Sequence, residues 1–394
     1  MSAAAGFVTC GHTGPEALPG RIRTGRDDTA GMELAELVGL RPVPCAGLLL
    51  TLTRRCPLSC AHCSTSSTMT GEEPDAGQLL RFVGSFTAED RPEAVLLTGG
   101  EPLLLPGLVR ELAARIRTGG SRTVLLSGMF FARDGRIPPP VLRAIGAVDH
   151  FSASLDAFHE REVARADVFR AVRQILDSGT PVSFHLAGAG PEDPYLGDVT
   201  GAIRREFADR VPMLVNEVRP VGRAAAWAAA TAHHPDTGRA LPCAMAAWPV
   251  VAFDGAVLAC CNQQTVDRRP APAHLLLGHV AEDDWATVRR RSLTSAVLRM
   301  VRAVGPAHLY GRYAPGTGEC GYCAGCRSLQ DHPDVVAGAE RDGSGLVGEL
   351  LDREAARVQT AAGPVDLLRR YGCAPYAELV ALPAVAVRTS GMSH

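Results

Sequence analysis

From residue 47 onward, short apolar runs alternate with stretches in which apolar residues recur every three or four positions. Runs of the first kind read as buried strands, and stretches of the second kind as amphipathic helices. The pattern predicts strands at 47–53, 94–98, 123–127, 149–155, 182–187 and 213–218. Between them it predicts helices at 75–86, 104–118, 138–147, 166–178 and 196–209. In the fourth helix Asp167 is the expected N-cap, Val168, Val172, Ile175 and Leu176 form the apolar stripe, and Gly179 closes the end. Strands and helices alternating in this way make an α/β fold with a parallel sheet.

The flanks read differently. Residues 1–45 hold many Gly, Pro and small residues, which predicts a poorly ordered lead-in with one short helix at Met32 to Val38. Asp254-Gly255, between two apolar runs, predicts a hairpin of the I′ type. A helical stretch is expected up to about Val304, and helical periodicity returns around Leu346–Val358 and Val365–Tyr371.

Composition narrows the classes. A chain of 394 residues, 46% hydrophobic, can bury the cores of about two domains. A net charge of −2 gives no electrostatic reason to expect nucleic acid or an anionic membrane as partner. No run approaches the ~20 apolar residues of a membrane span, and the N-terminus lacks a signal-peptide pattern. The expected location is therefore cytoplasmic, where twelve cysteines argue for metal binding rather than disulfides. All forty Lys+Arg residues are arginine, so a Schiff-base lysine, a P-loop lysine and a lysine general base are excluded.

The cysteines carry the chemistry. Cys56, Cys60 and Cys63 form a CX3CX2C triad directly after the first apolar run. Thiolates crowded on one loop suit an iron–sulfur cluster, and three are too few for a closed structural zinc site. Three ligands on a four-iron cube leave one iron open. The triad resembles the signature loop of the radical S-adenosylmethionine (radical SAM) superfamily, with His62 in a position that is often aromatic there. The resemblance implies a 4Fe–4S cluster whose open iron chelates SAM, and one-electron cleavage of SAM to methionine and a 5′-deoxyadenosyl radical.

Other elements extend the resemblance. Gly99-Gly100-Glu101-Pro102 ends the second strand, where the family lines the methionine amino group of SAM, with Glu101 as acceptor. Ser154-Leu-Asp156 ends the fourth strand and implies a SAM contact at Ser154, with Asp156 shaping the adjacent site. Arg165 matches a family arginine that grips the SAM carboxylate, Arg161 competes with it, and a solvated helix start is the plain alternative for both. Ser127-Gly128 corresponds to a small polar pair near the adenine or ribose. His159 lies near the same strand end and suits proton transfer, surface exposure or capping, while His185 reads as a packed residue. In β/α barrels the chemistry sits at the C-terminal ends of the strands, and the triad and GGEP both fall there. The implied fold is α/β, a partial (β/α)6 TIM-like barrel.

Past the sixth strand, Arg219-Pro220-Val-Gly222-Arg223-Ala resembles the PxGRA exit of relatives with an auxiliary-cluster domain. Cys243-X11-Gly255-X4-Cys260 fits the opening of SPASM and Twitch extensions, and Cys320, Cys323 and Cys326 follow. The spacing departs from the full SPASM pattern, so the resemblance implies a Twitch-like extension with one auxiliary 4Fe–4S cluster, or two if Cys261 and Cys373 are recruited. Four-cysteine zinc is the competing reading. Cys373 is also a candidate hydrogen-atom donor, and Cys10 and Cys45 have no partner pattern. The implied organisation is a lead-in at 1–45, a partial barrel at 46–225, an auxiliary-cluster domain at 240–330 and a helical segment with tail at 331–394.

The function so implied is radical hydrogen abstraction leading to a crosslink, a thioether or a dehydrogenation. Maturation of a ribosomally made peptide leads, with a small-molecule dehydrogenase or epimerase acting on an aminocyclitol or sugar as the alternative. A flavodoxin or ferredoxin would supply electrons, and a separate protein could recognise the peptide. A non-enzymatic iron–sulfur scaffold is a third reading, opposed by the SAM-pocket motifs.

Overall fold

The computed structural model describes residues 31–133, 135–228, 240–317 and 321–383. Helix α1 (Leu34–Gly39) precedes six strands, β1 (Gly47–Thr51), β2 (Ala94–Thr98), β3 (Arg122–Ser127), β4 (His150–Ser154), β5 (Val182–Gly188) and β6 (Met213–Glu217). They are joined by α2 (Ala76–Val83), α3 (Pro106–Thr118), α4 (Pro139–Ile145), α5 (Arg165–Asp177) and α6 (Pro194–Phe207). Each neighbouring strand pair runs parallel, in chain order. Every predicted strand and connecting helix is present, with ends displaced by less than a helical turn.

Beyond β1 the sheet continues through β7 (Val250–Val251), β8 (Ala256–Leu258) and β9 (Leu276–His279). The order is β6-β5-β4-β3-β2-β1-β7-β8-β9, an open sheet rather than a closed barrel. It is a mixed α/β arrangement, parallel through the six strands that the resemblance to a partial barrel implied. The remainder is helical: α7 (Gln263–Asp267), α8 (Trp285–Thr294), α9 (Ala296–Ala303), α10 (Pro306–Tyr313), α11 (Tyr322–Ser328), α12 (Pro333–Gly343) and α13 (Gly345–Tyr371). No described helix is long and apolar enough to cross a membrane.

Alternation along each strand sorts side chains between two faces. Leu48, Leu50, Val95, Leu97, Leu125, Phe151, Phe184, Leu186 and Val215 form one core with the apolar stripes of α2 to α6. Full burial of such side chains is worth ~1.5–3 kcal/mol each. On the opposite, inner face, Met32, Leu37 and Leu40 cover Ala94, Leu96 and Val124. Leu34 there meets Leu368, Ala377, Val380 and Leu214. The inner wall is thus finished by segments from both flanks of the barrel. His150 links them: Nδ1 donates to the Met32 carbonyl at 2.7 Å, and Nε2 accepts the Ser183 hydroxyl at 2.8 Å. Burial pushes its pKa down to about 4.

At the free edge of β6, the Cys373 N–H donates to the Val215 carbonyl at 2.9 Å. The unpaired edge is therefore capped rather than left as a template for another strand. On the far side, Trp285 of α8 is fully buried against Phe82 and Phe86 at 6.5 and 5.7 Å between ring centres. Helices α9 and α13 are tied by Arg302 and Asp352, which form two parallel bonds of 2.9 and 2.6 Å while both are buried.

Two local expectations are corrected. Helix α5 starts at Arg165, with Ala164 as a cap that offers no side-chain bond; Asp167 sits in the first turn and pairs with Arg170 at 2.7 Å. An acidic residue in that turn complements the helix dipole without capping. The hairpin at Asp254-Gly255 is not of the I′ type, which needs positive φ at both central residues. The ladder pairs Val251 with Val257, the Ala252 N–H still donates to Ala256, and only Gly255 is left-handed (φ 88°). The result is a three-residue loop closed by a left-handed glycine. The two helical stretches predicted near residues 346–371 are both present and meet end to end in α13 at non-helical Gly363 (φ 85°), before Pro364.

Candidate functional site

The triad loop leaves β1 and is pinned by a segment far away in sequence. The Arg223 Nε donates to the Cys60 carbonyl at 2.8 Å, one of its terminal nitrogens to the Ser67 carbonyl at 2.6 Å, and its backbone N–H to the Cys63 carbonyl at 3.0 Å. Trp227 Nε1 donates to the Ala61 carbonyl at 3.0 Å. Gly222 is left-handed (φ 56°), and a Cβ there would lie 2.3 Å from the carbonyl oxygens of both Cys63 and Ser64. The PxGRA element is therefore the clamp of the triad loop. Its sequence resemblance named the element without showing this role.

The thiols sit in unequal surroundings. Burial pushes Cys56 up to about 12, with Glu101 and the neighbouring thiols adding to the rise. Burial also resists ionisation of Cys63. There, the Thr65 hydroxyl at 3.2 Å, the Ser67 and Thr65 backbone and the Arg223 charge outweigh it, bringing the thiol below its ordinary value. Iron takes the thiolate form, which the surroundings of Cys63 favour. Three sulfurs on one braced loop, one of them biased toward the anion, fit a cluster that binds by thiolates.

The GGEP turn packs against the same loop. Gly99 (φ 138°) and Gly100 have no room for a Cβ, which would lie 2.3 Å from the Thr53 and Arg55 carbonyls respectively. Gly100 N–H donates to Thr53 at 2.6 Å and Glu101 N–H to Arg55 at 2.8 Å. The close approach these glycines permit is to the chain's own backbone. Pro102 starts a short 3-10 turn. Glu101 is fully buried and bonded by the chain itself: it takes the N–H groups of Leu103 and Gly128 at 3.0 and 2.8 Å and the Ser127 hydroxyl at 3.0 Å. Burial raises its pKa to about 7 against those donors. Ser127 and Gly128, expected near a nucleoside, are the partners of this carboxylate.

At the end of β4, Ser154 pairs in register with His185, which bonds Asn216 at 2.8 Å. Asp156 is buried and acts as a hub. Its Oδ1 accepts the N–H groups of Phe158 and His159 at 2.9 and 3.0 Å. Its Oδ2 faces His159 Nδ1 at 2.8 Å and His62 Nε2 at 3.2 Å. Burial works against the carboxylate, but the two imidazoles hold it well below the usual range. His159 is raised to about 10 by Asp156 in spite of burial. His62 stacks on Phe158 at 4.6 Å, and Phe158 packs on Trp227 at 5.3 Å. Far from a surface residue, His159 exposes only 12% of its side chain. Sequence spacing offered one sign of this, the Asp-X-X-His step after a strand; nothing pointed to the partner at residue 62.

Arg165 is engaged by the chain itself, by Glu160 and by Asp198 at 2.7 Å, with its guanidinium 5.6 Å from the Tyr195 ring. Arg161 lies over Phe158 at 5.8 Å.

The second cysteine group gathers around the β7–β8 hairpin and α11. Burial raises the pKa values of Cys243, Cys260, Cys323 and Cys326, and Cys323 acts on each of the other three. Cys261 acts on Cys243, Cys260 and Cys323, and its sulfur lies 3.0 Å from an Arg41 guanidinium nitrogen. Cys320 and Cys10 lie outside the described residues. Cys373 stands apart: its electrostatic neighbours are Glu217 and Asp193, and burial raises it to about 11. Cys45 is buried, and burial raises its pKa.

Residues 50–196 match the model of the Radical SAM superfamily. A PqqA peptide cyclase of Gluconobacter oxydans is 27% identical over 195 residues, covering 46% of this chain and 48% of that protein. A GTP 3′,8-cyclase of Geobacter sulfurreducens is 31% identical over 136 residues, covering 32% of this chain and 37% of that protein. The matches thus span less than half the length of either relative. The crystal structure of Streptococcus suis SuiB bound to S-adenosylmethionine is 12% identical, with a TM-score of 0.46 over 70% of this chain and 76% of that one, too slight a likeness to argue from.

Proposed function

We propose that the radical SAM domain cleaves S-adenosylmethionine reductively and starts the oxidative modification of a substrate, with a ribosomally made peptide as the leading substrate class. The carrying observation is the braced CX3CX2C loop inside the matched domain. Cys56, Cys60 and Cys63 would hold a 4Fe–4S cluster, and Gly99, Gly100, Glu101, Pro102, Ser154, Asp156, Arg165 and His62 would surround SAM. When bound, the cluster and SAM together supply an electron and a radical able to take a hydrogen atom from an unactivated C–H bond.

The chain's own residues do the positioning. Gly222, Arg223 and Trp227 fix the loop. Glu101 ties the end of β2 to the end of β3, keeping the rim rigid beside the loop. Asp156 fixes the ring planes of His62 and His159. Arg165 can turn to a ligand carboxylate only by leaving Glu160 or Asp198.

We assign residues 240–330 to a Twitch-like domain in which Cys243, Cys260, Cys323 and Cys326, with Cys320 as the further candidate, hold one auxiliary cluster. Its role would be to accept an electron from the substrate radical. The peptide reading is supported by the relative named as a peptide cyclase. The second reading, a small-molecule substrate, is supported by the relative named for a reaction on GTP. Anaerobically reconstituted protein with dithionite and SAM is expected to release 5′-deoxyadenosine. Equal release from the Cys56→Ala, Cys60→Ala, Cys63→Ala protein would end the proposal.

A further inference from the structure

We propose that the outward face of α13 is a dimer interface, covered by a second copy of this chain laid antiparallel along it. The proposal goes beyond the reading of the cysteine loop and does not depend on it. Helix α13 runs from Gly345 to its break at Gly363, about 27 Å at 1.5 Å per residue. One side is already used: Gly348 and Asp352 are buried, and Asp352 meets Arg302 of α9 at 2.6 Å. A surface helix ordinarily keeps its other side polar. Here that side carries Leu346, Val347, Leu350, Leu351 and Val358, each between 43% and 68% exposed. The other large apolar side chains that stand out among the described residues, Met69, Trp227 and Leu276, lie in other segments.

Two properties of this face select a second copy as its occupant. The first is charge order. Along the helix, Glu349, Arg353, Glu354 and Arg357 alternate acid, base, acid, base. Read backward, the order is base, acid, base, acid. An antiparallel copy, with a two-fold axis beside Arg353–Glu354, therefore meets opposite charge at all four positions: Glu349 faces Arg357, and Arg353 faces Glu354, of the other copy. A parallel copy in register meets like charge at every one. Within one chain the four side chains pair as Glu349–Arg353 and Glu354–Arg357, and each stays at least a third exposed, within reach of a partner. The face is neutral, so nucleic acid or an anionic membrane finds no net attraction there. The second property is area. Five such side chains make an apolar patch on the order of a few hundred Å², the size that marks an interaction site. A two-fold axis doubles it, and the flanking arginine stems bring the total toward ~1,000 Å², the lower end of specific interfaces. The antiparallel register lays the Leu346–Leu351 end of each helix along the Val358–Ala362 end of the other, an isologous contact.

The test is sedimentation velocity of the full-length protein after anaerobic reconstitution, from about 1 to about 100 µM, because a dimer grows with concentration. The wild type is expected to pass from one copy to two across that range. Leu350→Glu places an unpaired carboxylate in the seam twice per dimer and is expected to raise the dissociation constant at least about a hundredfold. Arg353→Glu and Glu354→Arg are each expected to weaken the dimer. The Arg353→Glu, Glu354→Arg double variant restores opposite charges across the axis and is expected to recover it. These charge variants sit on exposed positions and decide the question should Leu350→Glu not fold. A wild type that stays a single copy throughout overturns the inference. So does a single copy that binds phosphatidylglycerol vesicles through Leu350, which gives the face to a membrane. A dimer that survives Leu350→Glu lies elsewhere on the molecule and overturns it too, as does a double variant no tighter than the single ones. None of these outcomes touches the radical SAM reading, which release of 5′-deoxyadenosine decides.

Discussion

Gly222 offers a direct measure of how firmly the triad loop is clamped. Its φ of 56° is left-handed, and an added Cβ would lie 2.3 Å from two backbone oxygens, those of Cys63 and Ser64. Gly179, at the end of α5, is also left-handed (φ 90°) but has nothing within 4 Å of the added atom. Alanine at either position carries the cost of left-handed backbone, about 1–2 kcal/mol. Only Gly222→Ala adds the displacement of packed backbone, about 1–3 kcal/mol by analogy with overpacked cores. Denaturant unfolding is therefore expected to show a loss of about 1–2 kcal/mol for Gly179→Ala and about 2–5 kcal/mol for Gly222→Ala, with equal slopes. Because the obstructing atoms belong to the cysteine loop itself, relief of the clash must move the sulfurs. Iron bound after anaerobic reconstitution should fall in Gly222→Ala and stay at the wild-type level in Gly179→Ala. Equal stability losses with unchanged iron in both would refute the clamp.

Asp352→Ala strands the buried Arg302 guanidinium and is expected to destabilise by about 3–5 kcal/mol. The Arg302→Met, Asp352→Leu double variant should recover most of that, as read by the same unfolding assay. Iron analysis should give about eight per chain in the wild type and about four in the Cys56→Ala, Cys60→Ala, Cys63→Ala protein; zinc in the latter would remove the auxiliary redox site. The buried His150, with its folded pKa lowered from 6.5 to about 4, stays neutral where the unfolded chain's histidine takes up a proton. Its contribution to stability is whole above pH 6.5 and is lost as pH falls toward 4, up to about 3 kcal/mol, a slope that should flatten in His150→Gln. A slope in His150→Gln as steep as the wild type's would place the acid sensitivity elsewhere.

Much of the barrel was legible because its signals are local. Each strand, such as Ala94–Thr98, is a short apolar run bounded by turn residues, and each helix between strands has its own stripe. The triad and GGEP are equally local, so their placement at strand ends followed. Relations between distant residues were not legible. Arg223 reaches Cys60 across 163 positions, and His62 meets Asp156 through folding alone. The Asp254-Gly255 dipeptide suggested a tight turn, but the Ala252–Ala256 bond set the loop length. Glu101 was read as an acceptor for a ligand because its motif resembled one; its bonds to Ser127 and Gly128, at the end of the neighbouring strand, left no sign in the local sequence.

The inner wall of the barrel has a consequence for how this protein is made. Leu34 and Leu37 on α1 meet Leu368, Ala377 and Val380, residues synthesised more than three hundred positions later. Synthesis proceeds at about 5–20 residues per second, so β1 to β6 wait many seconds with that wall unfinished. Throughout that interval the triad loop has left the ribosome while one flank of the sheet is still exposed. The nascent chain therefore presents Cys56, Cys60 and Cys63 before the last apolar surface is sealed, and a stall in translation near residue 360 would leave a sticky, half-walled barrel.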